Sequence, residues 1–528
     1  MLDDVIKDSS GEKYKLRIES EASEDNAITI YKNTTGEFSG LSKNNESLPG
    51  ESLCYRLQYT NRILDTNAIP FIIRAIIMVG VIVLLWAVLY QRFGDEKIFL
   101  YLWCSLSLLF TVTLTLFNVP DEEAHFYRAY EISYGDMVAD FNAQINAGGF
   151  KLPIDSDLSL LKRNWQSYSE NRDMAINLED ASFKTFSNTA LYAPISYIPQ
   201  SIGIFVARHL TTNIAAIAYA GRFCNWLAIT FLLMMAIRLL PYGRRILMLI
   251  ALTPMNIQES ISLAPDGMVV AISAMMIALV LHYKYRKENY LNWLDILVLY
   301  LGAWLISLYK IVYLPFCMIY LLIPKEKFKG GIKEKVVHAG IVICSVAILN
   351  LAWLQLCNQF LTTAGTNGEL QVQYILHHPI QYGVTFIRTY LNNGLKLLLD
   401  SFGNTLGWLS ISTAGFLIIL YLVGFTYALN PGIERHEKQQ LQNRIVFGLI
   451  CVAIIILMTT SLYVQWTPVY NDIVDGLQGR YYLALFLPMY FMITKDKPGS
   501  NGRLHIAYQT IILVTNLSAA FSLLFACI

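Results

Sequence analysis

The feature that most constrains this chain is its series of long apolar runs, which have about the length that crosses a lipid bilayer as a helix. With 55% hydrophobic and only 15% charged residues, the chain is too apolar for an ordinary soluble domain. The alternating segments of roughly ten residues that form outer-membrane barrels are absent, so the spans are predicted to be helices. The sequence therefore predicts an all-α polytopic membrane protein.

The apolar runs predict about twelve transmembrane helices. Several runs are shorter than the ~20 residues that a full crossing needs, which favours broken or tilted helices. The predicted spans are 69–90, 98–119, 214–240, 246–259, 265–282, 293–309, 311–324, 336–358, 407–428, 446–464, 480–494 and 506–527.

The distribution of lysine and arginine predicts the orientation of these spans. Both residue types cluster in loops on one side of the predicted bundle, and the positive-inside rule makes that side cytoplasmic. The clusters lie at residues 238–245, 284–287, 325–335, 435–444 and 495–503. External loops are then expected at residues 119–213, 359–406 and 465–479.

Two external stretches are expected to touch the membrane without crossing it. Residues 192–206 are apolar, but a complete crossing there would break the alternation of sides, so a re-entrant or interfacial helix is predicted. Residues 373–399 mix apolar and polar side chains at helical spacing and are predicted to lie along the outer membrane surface. An ordinary soluble helical loop is the alternative for this second stretch.

The first 66 residues differ in kind from the rest of the chain. Segments 14–18 and 53–57 alternate apolar and polar residues, which predicts a small N-terminal β element. The predicted topology places it outside the cytoplasm. Either the first span translocates this element, or the chain is a shortened version of a protein that began with another helix. Residues 67–528 are expected to form the transmembrane domain.

Residues 120–128 place a dense group of charged side chains at the mouth of a predicted span. Asp121, Glu122 and His125 stand here beside Arg128. Charged groups at a bilayer are costly to desolvate and therefore indicate charge chemistry. In a helix Asp121 and His125 share a face, where the imidazole can orient a carboxylate base or both can bind a divalent metal. The plainer alternative is that these acidic residues only stabilise a helix N-terminus by interacting with the helix dipole.

Two further groups of charge interrupt apolar runs. Asp266 and Glu259 lie in an outer turn and are predicted to hold an acceptor sugar or shape a cavity, although a plain polar turn is nearly as well favoured. Lys310 stands between two short apolar stretches. A lysine in that setting either extends its ammonium to the membrane interface or pairs with an anion. The phosphate of a lipid would be a suitable anion.

Arg480 lies where an external loop enters a span, between glycine-rich sequence and two tyrosines. The glycines permit close backbone approach, and the guanidinium supplies a fork of donors suited to phosphate oxygens. An interfacial anchor is the alternative. Arg222 and Arg388 are weaker candidates of the same kind.

Several other functions lack support in the sequence. No P-loop, zinc-binding HExxH motif, dinucleotide fingerprint or nucleophile elbow appears in a suitable context, which disfavours ATP-driven transport and membrane proteolysis by those routes. The eight cysteines show no paired spacing and are interpreted as small buried residues. Nucleic acid is not an expected partner.

With these residues in view, the chain resembles a large family of predicted bacterial multi-pass membrane proteins of unknown function, common in polysaccharide gene clusters. The resemblance covers most of residues 98–494. It rests on Pro120-Asp121-Glu122 with His125, residues 188–199, Pro265-Asp266-Gly267, Leu406-Gly407-Trp408 and Leu477-Gln478-Gly479-Arg480-Tyr481. That family is similar to the GT-C class of glycosyltransferases, which use polyprenyl-phosphate sugars outside the cytoplasmic membrane.

The resemblance implies a GT-C-like inverting glycosyltransferase in the bacterial cytoplasmic membrane, with its active site on the extracytoplasmic face. The catalytic carboxylate would be Asp121, with Glu122 as the alternate. The implied donor is a polyprenyl-phosphate-linked sugar, and the implied acceptor is a cell-envelope polysaccharide or glycolipid. Glu123 departs from the family pattern, in which a proline is expected, so the number of working carboxylates stays open.

The resemblance also implies partners for the donor and the sugar. Arg480, Lys310 and Arg128 are candidates for stabilising the phosphate leaving group. Trp408, Trp466 and Tyr481 would stack on sugar or line the lipid groove. Two alternatives stay open: a polysaccharide polymerase or ligase that uses a lipid-diphosphate donor, and a transporter or flippase of a lipid-linked sugar. The latter should carry polar groups through the bilayer midplane.

Overall fold

A computed structural model describes residues 69–90, 92–154, 156–162, 164–177, 181–286, 290–360, 366–428, 438–493 and 505–527, together with four short strands between residues 32 and 53. The chain divides into two compact units, residues 1–64 and 65–528. In the described part of the second unit helices predominate, and its strands are short.

The described strands of the first unit pair as two antiparallel ladders. Strand β1 (Lys32–Asn33) pairs with β4 (Ser52–Leu53), and β2 (Ser42–Lys43) pairs with β3 (Glu46–Ser47). The predicted strand 53–57 shares only Leu53 with β4. Its remaining residues and the predicted strand 14–18 lie outside the described residues.

The second unit contains the helices that concern the site. In chain order they are α1 (Ile69–Leu89), α2 (Asp95–Thr113), α3 (Glu122–Ile132), α4 (Ser159–Lys162), α5 (Trp165–Asn171), α6 (Ser187–Ala190), α7 (Ile198–Arg208), α8 (Ile214–Leu239), α9 (Arg244–Ala251), α10 (Pro254–Ser260), α11 (Asp266–Tyr285), α12 (Trp293–Tyr309), α13 (Gly331–Cys357), α14 (Gly368–His377), α15 (Pro379–Ser401), α16 (Gly415–Ala428), α17 (Lys438–Gln465), α18 (Phe486–Ile493) and α19 (Ile506–Cys527).

Shorter elements connect these helices. Strands β5 (Asp140–Asn142), β6 (Ala147–Leu152) and β7 (Ser182–Thr185) form an antiparallel sheet between α3 and α6. Strands β8 (Thr405–Leu406) and β9 (Ile411–Ser412) form a hairpin after α15. The 3₁₀ helices lie at Pro194–Tyr197, Ile311–Leu322, Lys325–Lys327, Asn358–Phe360 and Gly479–Leu485.

Seven described helices are long and apolar enough to cross a membrane: α1, α2, α8, α11, α13, α17 and α19. The shorter apolar helices are α12, α16 and the 3₁₀ helix Ile311–Leu322. The predicted helical membrane protein is thereby confirmed in outline. Twelve full crossings and the orientation of the bundle stay predictions.

The predicted span 246–259 is broken, and the break builds one wall of the site. Helix α9 ends at Ala251, because Pro254 disfavours a helical conformation at Thr253, which is extended. Pro254 instead starts α10, where its missing N–H costs nothing. Helix α10 then ends at Ser260, and α11 restarts at Asp266. The interruption brings Glu259 and Asp266 to the same end of the bundle.

The predicted span 98–119 also ends earlier than expected. Helix α2 stops at Thr113, and the following residues run in irregular backbone to Asp121. Thr115 Oγ1 donates to the carbonyl of Lys162 at 2.7 Å, and Asn118 Nδ2 donates to Thr115 Oγ1 at 3.1 Å. These side-chain bonds hold the segment against α4 instead of letting it continue as a helix.

The predicted re-entrant stretch forms the 3₁₀ helix Pro194–Tyr197 followed by α7. At ~1.5 Å per residue, the eleven residues of α7 are too short to cross the apolar core. Helix α7 packs closely on α8, since a Cβ on Gly203 would lie 2.2 Å from the carbonyl oxygen of Ala220. The stretch 373–399 is helical within α14 and α15, and its place along the membrane surface stays a prediction.

Candidate functional site

Asp121 is the N-cap of α3 and stands in the left-handed region, with a φ of 61°. Aspartate tolerates this conformation better than most residues. Its side chain is 36% exposed, and Oδ2 lies 3.4 Å from Nη2 of Arg480. The other oxygen, Oδ1, accepts from Asn188 Nδ2 at 3.5 Å. Asp121 therefore has two long contacts and keeps access to solvent.

Arg480 is the centre of a group that we call the Arg480 cluster, which comprises Asp121, Glu259, Asp266, Lys310 and Arg480. Its guanidinium lies 3.5 Å from Glu259 and 3.9 Å from Asp266, and it donates to the Pro120 carbonyl at 3.3 Å. Its side chain is only 2% exposed. Charge-assisted hydrogen bonds usually measure about 2.7–2.9 Å, so each of these contacts of the guanidinium is long.

Gly479 explains how Arg480 reaches this position. A Cβ at residue 479 would lie 2.5 Å from the backbone nitrogen of Ser401 and 2.6 Å from the carbonyl carbon of Asp400. Only glycine allows the 3₁₀ helix Gly479–Leu485 to pass so close to the end of α15. The close approach that the sequence predicted for this segment is thereby confirmed.

Lys310 and Asp266 form a buried ion pair beside Arg480. Lys310 lies in extended backbone between α12 and the next 3₁₀ helix, and Asp266 is the first residue of α11. The Lys310 ammonium also lies 4.7 Å from the ring centroid of Tyr481 and 5.5 Å from that of Tyr192. Lys310 thus pairs with the carboxylate of Asp266, and its predicted contact with a lipid phosphate stays a prediction.

Glu259 brings a further buried carboxylate into the cluster. The residue is fully buried, and its Oε1 has no hydrogen-bond partner among the described residues. Two cations thus face three carboxylates, and the contacts between them leave hydrogen-bonding capacity unused on Glu259 Oε1 and Arg480 Nε. Unsatisfied buried polar atoms are costly, which favours a site that a ligand completes.

Glu122 has different surroundings although it follows Asp121 directly. Its two oxygens accept from Nε and Nη2 of Arg222, each at 2.6 Å, and Oε1 also accepts from the backbone N–H of Leu263 at 3.1 Å. Both side chains are buried. We call this arrangement the Glu122 clamp. It joins α3, α8 and the turn before α11, and it engages both oxygens of Glu122, whose side chain is fully buried.

His125 turns away from Asp121 in spite of the predicted spacing. The buried imidazole Nδ1 bonds to the hydroxyl of Tyr197 at 2.7 Å, and its ring makes an edge contact with Tyr192. Burial lowers the pKa of His125 to about 3, and the positive charges of Arg480 and Lys310 act in the same direction. The imidazole is therefore neutral near pH 7.

The suggested metal set is not assembled by these side chains. Asp121, Glu122 and His125 each bond to a different partner. Within the described ranges, no group of three or more His, Cys, Asp or Glu residues is placed to hold a metal ion. The donor geometry therefore does not fit the divalent metal that the sequence left open.

Two arginines predicted to bind substrate have partners elsewhere. Arg128 forms a buried ion pair with Glu131 and donates to the carbonyl of Met137 at 2.7 Å. Burial raises the pKa of Glu131 to about 7. Arg388 pairs with Asp472 at an exposed position. Among the described residues, neither arginine bonds to a member of the Arg480 cluster.

The remaining predicted residues lie around the cluster. The backbone carbonyl of Tyr481 accepts from the Tyr313 hydroxyl at 2.7 Å. Gln478 directly precedes the 3₁₀ helix of Arg480, and its buried Oε1 has no hydrogen-bond partner in the described part of the chain. Trp408 is 43% exposed and packs against Lys162.

The sequence analysis did not identify three partners of the predicted site residues: Tyr197, which bonds to His125, Asn188, which bonds to Asp121, and Lys162, which packs on Trp408. The sequence singles out Tyr197 and Asn188 only as part of residues 188–199, one of the stretches on which the family resemblance rests. Aromatic residues and prolines are concentrated there, and that concentration is the signal that could have identified them. Lys162 carried no signal, because nothing in its neighbouring sequence distinguishes it from an ordinary surface lysine.

Comparison with known protein families matches residues 104–489 to a family described as "Predicted membrane protein (DUF2142)". Comparisons with curated proteins and with solved structures give no match. The predicted membership in a family of uncharacterised membrane proteins is confirmed, whereas the similarity to GT-C enzymes stays a prediction. Since the match covers most of the sequence and contains the whole Arg480 cluster, the chain belongs to the DUF2142 family of predicted membrane proteins.

Proposed function

We propose that the chain is a GT-C-like inverting glycosyltransferase. It transfers a sugar from a polyprenyl-phosphate donor to a cell-envelope polysaccharide or glycolipid on the extracytoplasmic face of the bacterial cytoplasmic membrane. The observation that carries this proposal is the partly exposed carboxylate of Asp121, 3.4 Å from the buried guanidinium of Arg480. A base and an anion-binding group stand side by side, as displacement of a phosphate by a hydroxyl requires.

Asp121 is the general base in this proposal. The acceptor hydroxyl oxygen attacks the anomeric carbon of the donor sugar, and its proton passes to a carboxylate oxygen of Asp121. A new bond forms between that oxygen and the anomeric carbon on the face opposite the phosphate. The bond from the anomeric carbon to the phosphate oxygen breaks, and its electron pair leaves with polyprenyl phosphate. The anomeric configuration is inverted.

Arg480 and Lys310 stabilise the leaving group. Polyprenyl phosphate is a stable anion, so it needs positive charge more than it needs a general acid. The contacts of Arg480 to its carboxylate neighbours measure 3.4–3.9 Å, and phosphate oxygens can offer it shorter charge-assisted bonds. Lys310 adds a second cation that Asp266 holds in place.

Glu122 and Arg222 support this centre without touching the reacting atoms. The Glu122 clamp fixes the first turn of α3 against α8 and the turn that precedes α11. Asp121 and Asp266 lie at the ends of those same elements. The clamp is therefore assigned to positioning, and the base is assigned to Asp121 alone.

A transfer assay with defined donors tests the proposal. The full chain, purified into nanodiscs, is given a panel of polyprenyl-phosphate sugars and a matched panel of polyprenyl-diphosphate sugars, with solubilised envelope glycan as acceptor. The proposal predicts transfer from monophosphate donors only, with release of polyprenyl phosphate and an inverted linkage. Transfer from diphosphate donors alone identifies a polymerase or ligase. Movement of intact donor across vesicles without transfer identifies a transporter and overturns the proposal.

A further inference from the structure

Trp408 is presented to solvent by an unusually constrained turn. It lies between β8 and β9, and both of its neighbours have positive φ: 61° at Gly407 and 58° at Leu409. The left-handed region is rare for leucine, and such conformations persist where the surrounding structure imposes them. Trp408 is nevertheless 43% exposed, so burial of its side chain does not account for the unusual backbone conformation of the turn.

The fully buried side chain of Gln258 fixes this turn to α10. Its Oε1 accepts from the N–H of Gly407 at 2.7 Å, and its Nε2 donates to the Gly407 carbonyl at 3.3 Å. The next residue of α10 is Glu259, which contacts Arg480. The same short helix thus positions Trp408 and one member of the Arg480 cluster.

Lys162 covers the indole from a second anchored element. Its ammonium lies 3.8 Å from the ring centroid of Trp408. Its backbone carbonyl accepts from Thr115, in the segment that leads into Asp121. Burial lowers the pKa of Lys162, and the carboxylates of Glu123 and Asp121 oppose that change, so the lysine lies within the field of the proposed base.

We infer that Trp408 and Lys162 form the acceptor subsite, in which a pyranose ring stacks on the indole and the Lys162 ammonium donates to saccharide oxygens. The inference rests on the proposed function, because it places the acceptor beside Asp121 and the donor phosphate at Arg480 and Lys310. A lysine over an exposed ring is weakly held and is displaced at little cost. The flat indole offers a large, rigid apolar surface for the ring.

Kinetics on separate substrates test the subsite. In nanodiscs, Trp408→Ala and Lys162→Met are expected to raise the acceptor KM about tenfold, while the donor KM stays within about twofold of wild type. Trp408→Phe keeps an aromatic face and is expected to lie between wild type and Trp408→Ala. Trp293→Ala and Lys151→Met are the matched controls, since both residues are exposed and lie outside the cluster. Equal rises in the two KM values, or an unchanged acceptor KM, overturn the inference.

A binding measurement separates failure of the subsite from failure of the proposed function. Gluco-, galacto-, manno- and rhamno-configured tetrasaccharides are titrated into wild type and Trp408→Phe by calorimetry, without donor. Binding of at least one saccharide that weakens in the variant supports the subsite even if no transfer occurs, in which case only the glycosyltransferase proposal fails. Absence of binding to the whole panel, or equal binding by the variant, overturns the subsite even if the protein transfers sugar.

Discussion

The Glu122 clamp and the Arg480 cluster begin at consecutive residues, yet they are built in opposite ways. In the clamp, Glu122 and Arg222 share two bonds of 2.6 Å in a buried setting. In the cluster, Arg480 faces Asp121 and its other carboxylates at 3.4–3.9 Å, and Asp121 is partly exposed. The clamp therefore satisfies its charges within the fold, whereas the cluster leaves hydrogen-bonding capacity unused on Glu259 and Arg480.

Backbone geometry separates the two carboxylates. Asp121 is the N-cap of α3 in a left-handed conformation, and Glu122 is the first residue of the helix itself. The change of conformation between them directs one side chain toward Arg480 and the other toward α8. Two adjacent acids of similar chemistry thus acquire different partners from a change in backbone conformation.

Breaking the clamp is expected to have the largest effect. Glu122→Gln leaves the buried Arg222 guanidinium without a counter-charge, and removal of one partner of a buried ion pair costs about 3–5 kcal/mol. A marked fall in the thermal unfolding midpoint in nanodiscs is expected. The double variant Glu122→Gln with Arg222→Gln should recover part of that loss. Normal stability together with lost transfer would instead make Glu122 a catalytic residue.

Altering the cluster at Arg480 is expected to change activity more than stability. Arg480→Lys keeps the positive charge but removes the planar fork of donors. Transfer measured as kcat/KM for the donor should fall about a hundredfold, the scale of losing one preorganised anion contact. The unfolding midpoint should change much less than in Glu122→Gln. A variant with wild-type kinetics would remove Arg480 from the donor site.

Acidification is expected to act through His125, which is buried on α3. The folded-state pKa of about 3 lies below the unfolded value of 6.5, so the unfolded chain binds more protons between these values. His125 alone should therefore lower the free energy of unfolding by ~1.4 kcal/mol per pH unit as the pH drops below about 6.5, while Glu131, whose pKa is raised to about 7, opposes this fall. Unfolding midpoints from pH 4.5 to 7.5 check this, since the wild type should lose stability relative to His125→Gln as the pH falls. Parallel slopes would contradict it.

The smallest effect is expected at Arg388. This residue was predicted to bind substrate, but its ion pair with Asp472 is exposed, with 47% and 65% of the two side chains accessible. Exposed pairs contribute about 0–1 kcal/mol. Arg388→Gln should therefore keep kcat/KM within about twofold and leave the unfolding midpoint nearly unchanged. A large loss of transfer would extend the site to α15.

The sequence predicts the elements of the site better than it predicts their pairing. The charges after α2, the interrupted span before Asp266 and the glycine before Arg480 all carry local signals, and the structure uses each of them. The partner of Glu122 lies a hundred residues away on α8, so no local pattern predicts it. The contact of Lys162 with Trp408 likewise depends on how the short helix α4 packs against a distant hairpin.

The different roles of the two adjacent carboxylates are tested most directly at Asp121 itself. Asparagine has the same shape and tolerates the left-handed backbone, so Asp121→Asn removes the base and little else. Glu123→Gln is the matched control, because Glu123 accepts from the Tyr127 hydroxyl at 2.6 Å, whereas Arg480 bonds to other residues of the described structure. Donor affinity and single-turnover transfer are measured on the same nanodisc samples. We predict that Asp121→Asn binds donor normally and loses transfer by about 10²–10⁴-fold, while Glu123→Gln retains both. Near wild-type transfer by Asp121→Asn would contradict the assignment of Asp121 as the base.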